Sequence, residues 1–441
     1  MNSNTQVSDQ SLNNTINQDA SKMEFIKPSF NTVQYADVRF LKNETPSQVL
    51  MEKMNVDPKY QQWLRIVDTL DQCLLIHYLT PTEDVAEHDE IMSAVGHVRG
   101  IIFYKDNDTE NQVSYVMICK SLPYTPEIQM DDETNYDELE KRYPLSMYAQ
   151  YHAWEGTVIR LFYHKDEWYI ATHRKIDAYN SFVSPQSFGE LFEDVLSSLN
   201  MEKNFVDDLD KDCVYSFVMV HPNNTIILAD NTGNSKGLLL AHVFNKQTNT
   251  FDNVYNYKTV LPNVSYPHKV SEETLGCQSI TFRNIAMSLN EHEDTRTACG
   301  VLLSNGNTMV KLVSKQYGQL KQLRGNNPSV GHRYVELRQR NQHVLLEQWF
   351  SDEISKQRID HMKQKYENLI TRIHKWYISR FINKIIRDTP KEEFVTIQKC
   401  HAWYKNAKQN NPAAQVTRQV VEQVLSEAPY HCVLRMLNRT E

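Results

Sequence analysis

Residues Trp154 to Lys175 read W-E-G-T-V-I-R-L-F-Y-H-K-D-E-W-Y-I-A-T-H-R-K, and the reading of this stretch decides the fold. From Thr157 to Ala171 apolar and polar residues alternate, rich in β-branched and aromatic side chains that favour extended backbone. The turn-like Lys165-Asp166-Glu167 interrupts them, so a β-hairpin is expected. Further out, the segment from Val98 to about Tyr317 keeps the character of strands, with turn signals at Asn223-Asn224, Thr232-Gly233-Asn234 and Asn305-Gly306-Asn307. The last of these is placed to close a hairpin of Gly300 to Leu303 against Thr308 to Val313.

The flanks differ. Between Pro46 and Tyr78, apolar residues at Val49, Met51, Met54, Trp63, Leu64, Val67, Leu70 and Leu74 predict helical segments broken near Pro58. Beyond Arg324-Gly325-Asn326-Asn327-Pro328, residues Tyr366, Leu369, Ile370, Ile373, Tyr377, Phe381, Ile382 and Ile385 recur at three- and four-residue steps, one face of a long helix. A second amphipathic run covers Val416 to Leu425. The expected division is a disordered polar tail at 1–35, a body at 36–325 and an all-helical domain at 326–441. Met1 to Lys22 holds almost no large apolar side chain to offset the entropy of ordering.

With 441 residues there is enough chain for two or three domains, and no apolar run approaches the ~20 residues of a membrane span. The start lacks the basic and apolar stretches of a signal peptide. Seven cysteines, odd in number and scattered singly, form no disulfide framework, so a reducing compartment is expected. Cys400-His401 and His431-Cys432 lack the paired spacing of a zinc motif, and no metal site is expected from them.

Five segments together carry a resemblance. Around Ala153-Trp154-Glu155-Gly156 they are Val98-Arg99-Gly100-Ile101-Ile102-Phe103, the loop Ser121 to Glu127, Tyr215 to Asn224, Cys299-Gly300-Val301-Leu302 and Met309-Val310-Lys311-Leu312-Val313. In that order they resemble the motifs of ATP-dependent RNA ligases of the phage tRNA-repair type and their divergent relatives in large DNA viruses. The resemblance implies an α+β fold, an antiparallel-sheet nucleotidyltransferase domain (ATP-grasp-like ligase) followed by a helical C-terminal domain that recognises RNA. It also implies a host cytoplasm or virion location. In such enzymes a Lys-x-Asp-Gly lysine attacks the α-phosphate of the nucleotide.

The reactive groups depart from that pattern. Ala153 stands at the nucleophile, whose methyl cannot attack phosphorus; Val218 stands at a metal-associated glutamate, Cys299 at another acid, and Val313 at the second lysine of the closing motif. Glu155 remains at the aspartate position, either to hold ribose or a metal-bound water or to cap a turn before Gly156. Phosphoryl-type transfer needs a nucleophile, cations and Mg²⁺-holding carboxylates. Arg99, Glu155, Lys311 and Lys315 are the expected nucleotide-binding residues, converging on one groove, with ATP and Mg as ligands if binding survives. His152, His164 and His173 crowd the same region, but strand alternation separates their faces. Asn231 to Gly237 lacks phosphate-loop spacing and reads as a turn.

Charge is uneven. The chain carries −8 overall, yet Lys311 to Asn410 holds 20 Lys/Arg against nine Asp/Glu. A basic module on an acidic body fits a polyanion, and also fits solvated helix faces. Lys363, Lys365, Arg372 and Lys375, on the polar face opposite Ile370 and Ile373, are the expected RNA contacts. Trp376, Tyr377, Trp403 and Tyr404 lie among the basic residues, although Tyr377 fits the apolar stripe. Three readings follow: an inactive RNA ligase-like protein retaining nucleotide or RNA binding, a working nucleotidyltransferase with another lysine such as Lys175 or Lys311, and a structural or virion-associated interaction protein.

Overall fold

The central hairpin forms where alternation places it. Strands β7 (Thr157–His164) and β8 (Glu167–Ala171) pair antiparallel from His164↔Glu167 to Arg160↔Ala171. Lys165 and Asp166 sit at φ 49° and 64°, the two left-handed positions a tight two-residue hairpin turn requires. The chain is described by a computed structural model over residues 44–439, apart from 82–86, 110–111, 183–185, 202, 225–226, 228–235, 292–298, 307, 326–328, 351–352 and 386–387. The polar tail 1–35 and the turn Thr232-Gly233-Asn234 lie outside the described residues.

Three sheets carry the body. The first is an antiparallel meander of β1 (Leu64–Leu70), β2 (Cys73–Tyr78), β3 (Arg99–Thr109) and β4 (Gln112–Cys119). The second holds the hairpin, in the order β11-β10-β9-β7-β8, with β9 (Cys213–Val220), β10 (Gly237–Asn245) and β11 (Thr250–Asp252). The third runs β5-β13-β12-β6, from β5 (Glu127–Met130), β6 (Ala149–His152), β12 (Val301–Ser304) and β13 (Met309–Ser314). Its β12–β13 hairpin is the one expected around Asn305-Gly306, and β5 adds to β13 in parallel. Ile102, Cys119, Phe162, Val214 and Phe244 pack the first sheet against the second. Helix Phe188–Ser198, capped by Ser187 and Glu190 in a reciprocal box, covers the second sheet's other face.

The reading of 46–78 as helical is corrected. Only Gln48–Lys53 is α-helical, followed by a 3₁₀ turn at Pro58–Trp63; Val67, Leu70 and Leu74 lie in β1 and β2. Their three- and four-residue steps imitate a helix, but the segment is a hairpin turning at Asp71 (φ 50°), so the apolar residues come from two strands.

From Val330 on the chain is helical: Val330–Gln339, His343–Trp349, Glu353–Tyr377 with a π turn at Ile378–Ile382, Lys391–Asn410, Arg418–Ser426 and Tyr430–Leu437. Tyr366, Leu369, Ile370, Ile373 and Tyr377 are buried in one core with Val421 and Leu425. The stripe ends at Phe381, partly buried against that core, since Ile382 and Ile385 are exposed. The fold is thus mixed α+β, with antiparallel sheets and a helical C-terminal region. No helix among the described residues is long and apolar enough to cross a membrane.

Candidate functional site

The motif segments meet where β5, β12 and β13 pass the entry to β7. Gly156 allows this approach: a Cβ there would lie 2.3 Å from the Met219 carbonyl oxygen of β9. That fixes Glu155 just inside, only 9% exposed. Its two oxygens are both engaged, Oε1 accepting the Ile227 N–H at 2.6 Å and Oε2 the Tyr317 hydroxyl at 2.8 Å. Lys311 in β13 donates to the same Tyr317 oxygen at 3.1 Å, its amine 4.5 Å from the ring centre. Strand register sets Lys311 beside Glu127, 3.8 Å between charges, and Lys321 pairs with the other Glu127 oxygen.

Electrostatics follow from burial. Desolvation alone would lower the Lys311 pKa, but Cys299, Glu127 and Glu155 around it raise it on balance, so the amine stays protonated. Burial, then Cys299, Glu155 and Glu127, push the Tyr317 hydroxyl far up. Arg99 donates to the Pro123 carbonyl at 3.4 Å; burial lowers its pKa, while Tyr78, Tyr124 and Glu127 oppose that. Arg324 is 5% exposed, with a pKa lowered to about 10 by burial and by Arg333 and Arg358, and Glu155 acting against them.

Ala153 lies at the centre. Its N–H donates to the Gly300 carbonyl at 2.9 Å, and its methyl packs against Ile227, Cys299, Val313, Tyr317 and Leu320. Glu155 and Lys311 are therefore brought together through Tyr317 beside Glu127, whereas Arg99 bonds the Pro123 carbonyl and is linked to Glu127 only through its charge. Lys315 is not: it opens the helix Lys315–Arg324, half exposed, with its amine 3.7 Å from Asp132. Val218 faces Val158 and Leu239 within the second sheet. Lys175 is held by Asp68 at 2.7 Å, away from Ala153. The histidines scatter as alternation implies: His152 is exposed, His164 lies against the Tyr104 ring at a tilt of 55° and His173 meets Ser121 Oγ at 3.0 Å. Among the described residues no three His, Cys, Asp or Glu side chains gather where they could hold a metal ion.

Sequence reasoning missed Glu127, Tyr317 and Arg324. Glu127 ends the loop Ser121 to Glu127, and Tyr317 follows Lys311 by a strand end and half a helical turn. Only the fold shows that Tyr317 turns inward and that Glu127, itself exposed, stands beside Lys311.

In the helical region Lys365, Arg372, Lys375, Trp376 and Arg439 line one groove of about 450 Å³. Arg372 is corrected: it is no exposed polar-face residue, since it donates to the Met436 carbonyl at 2.8 Å and lies 3.6 Å from fully buried Glu393. The 3.6-residue period turned it toward the helix Tyr430–Leu437, which the sequence pattern did not reveal. Lys363 points elsewhere, to Glu347 at 3.0 Å. Trp376, Trp403 and Tyr404 are partly buried against the core.

No family profile matches the chain. It is similar to the immediate-early protein ICP-46 homolog of Invertebrate iridescent virus 6, 26% identical over 367 residues, 77% of this chain and 76% of that protein. Among solved structures it superposes on an archaeal ATP-dependent RNA ligase with a TM-score of 0.38 and 12% identity, over 73% of this chain and 79% of that one. A putative ATP-dependent DNA ligase from Aquifex aeolicus gives 0.38 and 12%, over 75% and 81%.

Proposed function

We propose that this chain is an RNA ligase-like protein of viral kind that has lost nucleotidyl transfer and binds RNA through its helical C-terminal region. The first half is supported by Ala153, which the resemblance puts at the nucleophile position and whose methyl packs against the cluster that contains Tyr317, a residue whose hydroxyl already bridges Glu155 and Lys311. The neighbouring lysines do not replace it. An attacking amine must be unprotonated, whereas the Lys311 pKa is raised and Lys175 is paired with Asp68. Any nucleotide held by Arg99, Glu155 and Lys311 would first have to displace Tyr317.

Incubation of the protein with ATP or GTP labelled at the α-phosphate, followed by a denaturing gel, is expected to leave no label. Ala153→Lys alone is expected to leave none, because nucleophile, metal carboxylates and second lysine act as a unit whose losses are not additive. A strong band on wild-type protein would overturn the reading and favour the working enzyme.

The RNA half rests on the basic surplus and on Lys365 and Lys375, which face one groove. Charge reversal at these two lysines is expected to weaken single-stranded RNA binding and to flatten the slope of log affinity against log salt by about 0.7 for each phosphate no longer neutralised. Arg372 is excluded from the test, since reversing it would break its contacts to Met436 and Glu393. Unchanged affinity and slope would favour the interaction-protein reading.

A further inference from the structure

A second groove, of about 610 Å³, lies far along the chain from the Ala153 site, where the end of helix Gln48–Lys53 meets the outer edge of the first sheet and the turn between β10 and β11. Strand β4 is an edge of that sheet, so one side of it has no neighbouring strand there. The floor is apolar, with Tyr115 and Met117 projecting from β4 beside buried Phe103. Its rim carries two lysine amines, Lys53 and Lys120, beside the His97 ring, and no aspartate or glutamate among the described residues lines it.

Lys53 is exposed at its helix end, whereas Lys120 is half-buried without a counter-charge. Neither Lys53 nor Lys120 makes an ion pair among the described residues. The Lys120 amine stands 5.3 Å from the Phe244 ring centre, and burial lowers its pKa with no carboxylate opposing. A half-buried amine in that position gains most from an anion that enters and pairs with it. His97 uses Nε2 on the Met54 carbonyl at 2.8 Å, which fixes its ring at the rim. The amides of Asn55 and Asn249 add further donors and acceptors. The volume suits a ligand of nucleotide size, and an aromatic–methionine floor suits a flat ring.

We propose that this groove is a binding site for a phosphomonoester bearing a planar ring, a nucleoside monophosphate in chemical class, with the phosphate between Lys53 and Lys120 and the ring against Tyr115 and Met117. The site is separate from the Ala153 cluster and does not depend on whether that cluster reacts.

The test uses full-length protein labelled at its methionine methyls, because Met54 and Met117 line the groove and Met219 lies beside Gly156 as an internal comparison. AMP is expected to shift the Met54 and Met117 signals in a saturable way while leaving Met219 unmoved. Ribose 5-phosphate, which lacks the ring, is expected to bind about tenfold more weakly, and Lys120→Gln to weaken AMP by about tenfold or more, with Lys120→Arg retaining it. An unchanged melting temperature in Lys120→Gln separates lost binding from lost folding. Shifts confined to Met219, equal binding of AMP and ribose 5-phosphate, unaltered affinity in Lys120→Gln, or no shift at all would each overturn the proposal. None of these outcomes bears on the α-phosphate labelling experiment, which reads only a covalent adduct.

Discussion

Gly300→Ala is expected to destabilise the protein by about 3 kcal/mol or more, a loss read from the urea midpoint. Gly300 sits at φ 134°, a region that L side chains rarely adopt, and a Cβ there would lie 2.1 Å from the Leu312 carbonyl oxygen. Relief requires β12 to move off β13, which also pulls the Gly300 carbonyl from the Ala153 N–H. Gly276→Ala is the control. Its φ is 62°, but nothing lies within 4 Å of the added methyl, so only the backbone cost of about 1 kcal/mol is expected. Equal losses at the two positions would mean that close approach at Gly300 contributes nothing.

Acid is expected to destabilise the fold steeply between about pH 6.5 and 4. His77 is 6% exposed, and burial, reinforced by Arg174, Arg99 and Arg160, lowers its pKa to about 4 although its bond to the Tyr78 carbonyl opposes this. Burial likewise lowers His242 to about 3, with Arg99 adding to the shift. Both rings are neutral when folded and take up protons near pH 6.5 once unfolded. The unfolded state therefore binds more protons as pH falls, and stability declines by about 1.4 kcal/mol per pH unit for each histidine. The contribution is complete above the unfolded value and is lost on acidification until the folded rings themselves titrate. Urea unfolding at a series of pH values measures the slope. His77→Asn with His242→Asn is expected to lower the slope by about 2.7 kcal/mol per pH unit, leaving the share of His173, whose pKa burial also lowers, and an unchanged slope in that double variant would defeat the assignment.

What the sequence reveals tracks what local periodicity can encode. The hairpin through Lys165-Asp166, the β12–β13 pair and the stripe from Tyr366 to Tyr377 all depend on spacing of two or of three to four residues. Each is legible in the order of residues alone. The helical reading of Val67 to Leu74 fails because two short strands sampled together imitate the helical period. At the candidate site, Glu155 and Lys311 are singled out in the sequence by their neighbours in the chain. Glu127 and Tyr317 are not, because their roles arise from β5 joining β13 in parallel and from the first turn of Lys315–Arg324 folding back over Ala153. Lys315, at the start of that helix, faces solvent for the same geometric reason, and Arg372 is misread because its partners come from other helices of the C-terminal region.

The third sheet has a consequence for the order in which the newly made chain can take shape. Residues 127–130 and 149–152 leave the ribosome long before residues 301–314, yet every hydrogen-bonded neighbour of β5 and β6 within that sheet comes from the later segment. β6 can pair once Val301–Ser304 is made, but β5 waits for Met309–Ser314, and closing so long a loop is slow compared with forming the meander β1–β4. A nascent chain halted before Met309 thus leaves β5 without its partner in the sheet and ready to join another chain. The segment that completes the Ala153 cluster is also the one that ends this hazardous interval.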